Sequence, residues 1–67
     1  MMEGTVKFFN EAKGFGFIKD KNSEKEYFIH ASKLNGQTIR ENDVVEFEIG
    51  PGRKGEEVTS LTLMSSN

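Results

Sequence analysis

The run Lys13-Gly14-Phe15-Gly16-Phe17-Ile18 constrains this chain more than any other, because it places two glycines and two phenylalanines within six residues. A strand turns successive side chains to opposite faces. Phe15 and Phe17 therefore project together, and Gly14, Gly16 and Ile18 lie behind them. Glycine weakens a strand interior and offers no side chain to pack, but it lets the backbone bend sharply or another surface come close. Two readings follow. The rings are core and the glycines are close-packing devices, as strand aromatics usually are, or a curved strand displays two flat rings beside a lysine, as a stacking surface for bases would.

A second run, Tyr27-Phe28-Ile29-His30, shifts the balance toward display, since Phe28 and His30 share a face. Adjacent strands carrying Phe-x-Phe and Phe-x-His would align four planar side chains. Gly4-Thr5-Val6-Lys7-Phe8-Phe9-Asn10, then Lys13 to Ile18, then Phe28-Ile29-His30 resemble the cold-shock domain in order and spacing. The two inner runs are similar to that family's two ribonucleoprotein-type motifs. The resemblance is strongest through residue 30, and the domain's length covers nearly the whole chain.

The resemblance implies a surface that binds single-stranded nucleic acid. It implies that Lys7 and Phe8 both lie on the binding side with Val6 inside, whereas strict alternation would put Val6 and Phe8 on one face. A bulge or strong bend near Lys7, a device common in small barrels, is therefore expected. It also implies that a basic residue in the loop before the last strand, here Lys54 next to Arg53, reaches the ligand. Several positions depart from the family pattern. Phe8 stands where tryptophan is usual, and Ala31 follows His30 where a further aromatic is common. The connector after Leu34 looks shorter and lacks a phenylalanine, and Glu56-Glu57 replaces a Pro-Gln-type pair. Each departure implies weaker binding or a shorter footprint than in a typical member.

With 67 residues the chain is expected to form one domain, 1–67, close to the size limit at which a single core holds itself together. No cysteine is present to form a disulfide framework or a zinc ribbon. No run approaches transmembrane length, and no basic region followed by an apolar stretch opens the chain, so a soluble cytoplasmic protein is expected. A net charge of −2 argues against a protein that grips duplex phosphates along a basic surface. The charge is uneven, about +1 over residues 1–33 and −3 over residues 34–67. Nucleic acid, if bound, would meet the N-terminal half, and stacking would outweigh charge.

Strands are expected over 2–10, 14–19 and 26–30, with Tyr27 and Ile29 inward. Asp20 to Lys25 reads as a polar loop, and Ala31 to Leu34 as one helical turn with Leu34 capping the core. Asn35-Gly36 is a turn signal, followed by a polar connector from which Ile39 tucks inward. A fourth strand over 44–50 alternates, with Val45, Phe47 and Ile49 inside. Gly50 to Gly55 reads as a loop. A last strand near 56–64 turns Leu61 and Leu63 inward, and Val58 is out of phase with them unless a bulge intervenes. Five short bent strands without a long helix predict an all-β, five-stranded antiparallel OB-fold barrel.

Phe8, Phe15, Phe17 and Phe28 are the candidate stacking residues, with His30 on Phe28's face to stack or to donate a hydrogen bond. Lys7, Lys13 and Lys54 suit backbone phosphates as mobile point charges. Asn10 fits a base edge or a turn cap equally well. Catalysis is not expected, because the carboxylate pairs Glu46/Glu48 and Glu56/Glu57 are not set across a cleft. There is also no phosphate-cradling glycine loop and no serine elbow. No metal site and no cofactor are expected, since His30 lacks companion ligands. The favoured reading is a monomeric cold-shock protein, a binder of single-stranded RNA and DNA with a mild pyrimidine preference. The alternative is a diverged OB module whose aromatic face docks a protein.

Overall fold

The computed structural model describes residues 2–52 and 55–65. Five strands follow in chain order: β1 Met2–Asn10, β2 Phe15–Asp20, β3 Glu26–His30, β4 Val44–Gly52 and β5 Gly55–Ser65. One 3-10 turn, Ala31–Lys33, follows β3. The strands close into a barrel in the order β1-β2-β3-β5-β4, with β4 returning to β1. This is the expected OB-type barrel, and its pairings are antiparallel except at one seam. In the meander β1 and β3 run the same way. Since β4 opposes β1 and β5 opposes β4, β5 must run parallel to β3, and it does so through the single pair Phe28↔Glu57.

Alternation sends Val6, Ile18, Tyr27, Ile29, Val45, Phe47, Val58 and Leu61 into the barrel, joined by Leu34 and Ile39 from the connector. Tyr27 and Phe47 meet there with ring centroids 6.0 Å apart. Asn35 and Gly36 turn the connector with φ of 53° and 83°. The Gln37 side chain then anchors it, donating to the carbonyls of Leu34 at 2.9 Å and Leu61 at 2.7 Å and accepting from the Leu63 amide at 2.8 Å.

Two of the register shifts among the described residues explain the departures from strict period two in β1 and β5. The β1–β2 register steps from Val6↔Ile18 to Phe8↔Phe17, leaving Lys7 unopposed. The bulge expected at Lys7 is therefore present, with Val6 fully buried and Phe8 outward. The connector holds the chain at this point: the Val6 amide donates to the Asp43 carbonyl at 2.9 Å, and the Val6 carbonyl accepts from the Asn42 amide at 2.8 Å. In the β4–β5 hairpin the register steps from Glu48↔Ser60 to Ile49↔Val58. The extra residue, Thr59, lets Val58 and Leu61 both point inward, while Ile49 and Leu63 are only partly buried.

Two expected loops prove to be more ordered. The stretch read as a loop over 50–55 contains the ends of both hairpin arms, paired as Pro51↔Glu56 and Gly52↔Gly55. Pro51 lies beyond Phe47, where the β1 ladder stops. There β4 is an edge strand, and a missing N–H is tolerated. Asp20, read as the start of a polar loop, is the buried last residue of β2. Its carboxylate closes the β2–β3 turn, accepting from the Ser23 hydroxyl at 2.7 Å and from the Asn22 and Ser23 amides at 3.3 Å. The Ser23 hydroxyl, opposed in part by burial and aided by the backbone amides, holds the Asp20 carboxyl below its ordinary range.

Candidate nucleic-acid interface

Register decides which rings meet. Phe15 pairs with His30 and Phe17 with Phe28 across β2 and β3, so the four outward side chains form two rows. The bulge swings Phe8 from β1 onto the same surface, opposite Phe17. Phe8 lies 5.4 Å from Phe17 and 6.1 Å from Phe15, while Phe28 lies 5.9 Å from Phe17 and 5.8 Å from Phe15, centroid to centroid. Phe15 and Phe28 are nearly parallel, at 21°, and the Phe8–Phe15 and Phe17–Phe28 pairs are edge-on at 82° and 78°.

These four rings are half-buried or exposed, and Phe8, at 38%, is among the large apolar side chains open to solvent. They support one another through two edge-on pairs and one stacked pair, both favourable arrangements for aromatic rings. Their outer surfaces make an apolar patch on the outside of the barrel. The core reading of Phe15 and Phe17 is excluded by this placement. Gly16 explains why its strand bears glycine: a Cβ there would run into the Phe8 carbonyl oxygen and the Phe9 ring. The glycine lets β1 come close and carry Phe8 toward the cluster. Gly14, at φ 73°, turns the chain into β2.

The polar candidates lie around the rings with distinct partners. Asn10 caps the turn into β2: its Oδ1 accepts from the Lys13 amide at 3.0 Å, and its carbonyl from the Gly14 amide at 2.8 Å. The turn-cap reading is therefore seen directly. Lys13 is exposed on that turn, two residues from Phe15. His30 is exposed, and its Nδ1 accepts from the Ser32 amide at 3.1 Å and lies 2.9 Å from the Ser32 hydroxyl. The neutral ring therefore carries its proton on Nε2, where it serves as a donor. Lys7 is exposed at the bulge, with its Nζ 2.6 Å from Glu26 Oε2. Lys54, with Arg53, lies outside the described residues.

Lys19 and Glu26, which sequence reasoning passed over, and Glu57, which it named only as a departure from the family pattern, also belong to this surface. Lys19 and Glu26 face each other in the β2–β3 register, two positions beyond Phe17 and Phe28, and so share the rings' face. Period two alone identifies both. Glu57 pairs with Phe28 across the parallel seam, and its side chain occupies the space in which a Cβ on Gly52 would stand. Lys19 lies 3.7 Å from Glu24. The apolar centre is thus bounded by Lys7, Lys19 and Glu26 at one end and by Lys13 and His30 at the other.

Among the described residues, no group of three or more His, Cys, Asp or Glu side chains is placed to hold a metal ion. No helix among them is long and apolar enough to cross a membrane. What the surface offers is a set of flat apolar faces beside donors and cations. The 'Cold-shock' DNA-binding domain model matches residues 2–64. The chain is 46% identical over 67 residues to the Cold shock protein of Arthrobacter globiformis, an alignment covering 96% of this chain and all of that one. It is 44% identical over 64 residues to the Probable cold shock protein A of Mycobacterium tuberculosis, covering 91% of this chain and 96% of the other. To the Cold shock-like protein CspC of Escherichia coli it is also 44% identical over 64 residues, covering 91% and 93%. A barrel carrying outward aromatic rows, matched nearly end to end in this way, belongs to the cold-shock domain family, whose domain binds nucleic acid.

Proposed function

We propose that this protein binds single-stranded RNA and DNA by stacking splayed bases on Phe8, Phe15, Phe17, Phe28 and His30, with Lys7, Lys13 and Lys54 meeting the backbone. The observation that carries the reading is the cluster of four mutually supporting rings on the outside of the barrel, 5.4–6.1 Å between centroids. Every base has a π-face, so such a surface tolerates sequence, and each stacked base contributes about 1–3 kcal/mol as judged by truncation. A mild preference for pyrimidine-rich strands accompanies it. Asn10 contributes by holding the turn that presents Lys13 and Phe15.

Strand binding competes with base pairing. The protein therefore melts weak secondary structure without consuming ATP, which is the action of an RNA chaperone. It acts as a monomeric, cytoplasmic single domain spanning the chain, and it influences transcription and translation under cold stress. Phe8, Ala31 and the Glu56-Glu57 pair make the footprint shorter or the affinity lower than a fuller set of aromatics would. The test is fluorescence anisotropy of an end-labelled heptathymidine over a salt series. The expected result is micromolar or tighter binding that weakens by about 0.7 log units per phosphate contact and per tenfold rise in salt, over a few contacts. No binding at low salt overturns the reading. That outcome leaves the alternative, apolar docking of a protein on the same face, which would respond much less to salt.

A further inference from the structure

We infer that Glu26 is an internal competitor for the nucleic-acid backbone, occupying Lys7 in the free protein and setting both the affinity and the salt dependence of strand binding. The inference rests on the reading of the ring face as a strand-binding surface and goes beyond it by assigning a role to a residue of opposite charge. Lys7 belongs to β1 and Glu26 to β3, with β2 between them. Their 2.6 Å contact therefore reaches over β2, across roughly 10 Å of sheet. Register places this crossing beside Phe17 and Lys19, at one end of the aromatic patch. A strand laid over the rings toward Lys7 meets an ammonium group already neutralised by a carboxylate.

The pair is built to exchange. Its side chains are 52% and 41% exposed, so no burial holds them together, and an exposed ion pair of that kind contributes little. A phosphate has the same chemistry as the carboxylate it displaces, so Lys7 gains little net interaction from the exchange. The Glu26 carboxylate then remains beside a polyanion. A lysine shared with a carboxylate also neutralises less than one phosphate. Its contribution to counterion release falls well below the usual value of about 0.7 per contact.

The test is a double-mutant cycle on the full chain, with Glu26→Gln, Lys7→Gln and the double variant, read by heptathymidine anisotropy between low and physiological salt. Glu48→Gln, at an exposed position of β4 away from the rings, serves as a control for bulk charge, and thermal melts confirm folding of each variant. The expected result is that Glu26→Gln binds about two- to fivefold more tightly at low salt and steepens the log–log salt slope by up to about 0.7. Both gains should shrink markedly in the Lys7→Gln background, where only the repulsion between the Glu26 carboxylate and the strand is left to relieve. An equal gain with or without Lys7 overturns the inference, because carboxylate repulsion alone would then explain it. An unchanged Glu26→Gln in a wild type that binds also overturns the inference and leaves the strand-binding reading standing. No binding by any form overturns both.

Discussion

The two faces of the β1–β3 sheet carry similar apolar character and are put to opposite uses. Inside lie Val6, Ile18, Tyr27 and Ile29, packed with Phe47 and closed to water. Outside lie Phe8, Phe15, Phe17 and Phe28, clustered against one another with ring centroids 5.4–6.1 Å apart. Branched aliphatic side chains fill the barrel around Tyr27 and Phe47, and four more rings lie along its surface. The inner face is stabilised by surface removed from water, so it is committed to folding. The outer rings retain open faces, and removing those from water is the driving force left for a ligand.

The comparison breaks most sharply at phenylalanine. Phe47→Ala, which empties the barrel centre, is expected to cost about 3–5 kcal/mol, enough to unfold much of so small a protein, as read by circular dichroism in a urea series. Phe15→Ala, which removes the same side chain from the outer face, is expected to leave the melting temperature nearly unchanged. It should weaken heptathymidine binding by about 1–3 kcal/mol. If both variants lose stability equally, the division of labour between the faces is wrong.

Gly16→Ala tests how the faces are joined, because the new methyl group would press on the Phe8 carbonyl and the Phe9 ring. Overpacking against backbone is expected to cost about 1–3 kcal/mol, and the displacement of Phe8 should weaken strand binding although no ring has been removed. A variant with full stability and full binding would show that β1 does not need this close approach.

The smallest effect belongs to Asp20, which lies away from the rings. Its carboxyl titrates below the ordinary range in the folded protein, chiefly because of the Ser23 hydroxyl. The ionised form therefore stabilises the fold above the ordinary aspartate value of about 3.9, and the contribution is lost as pH falls through the lower folded value. Asp20→Asn is expected to lower the urea midpoint at pH 7 more than at pH 3, without changing affinity. Parallel losses at the two pH values would contradict that assignment.

Period two accounts for most of what could be read from the chain. It gave the inward sets of β3 and β4, the common face of Phe15 with Phe17 and of Phe28 with His30, and in hindsight the places of Lys19 and Glu26. Where alternation failed at Val58, the failure itself marked a bulge, whereas the bulge at Lys7 was expected only from the family resemblance. What remained hidden depends on partners distant in sequence. Gly50 to Gly55 reads as a loop by composition, yet its ends pair because β5 returns alongside. Asp20 reads as a loop residue because its burial comes from Ser23 and the turn folded over it. The Lys7–Glu26 contact joins residues 19 positions apart on strands that are not neighbours, and no local pattern encodes that.

The most direct test of the division between faces is a titration of the protein with heptathymidine, followed by the NMR resonances of its aromatic rings. Stacking on the outer surface predicts large ring-current shifts for Phe8, Phe15, Phe17, Phe28 and His30, with Tyr27 and Phe47 almost unmoved. Shifts spread equally over the inner and outer rings, or confined to residues away from the patch, would contradict the account.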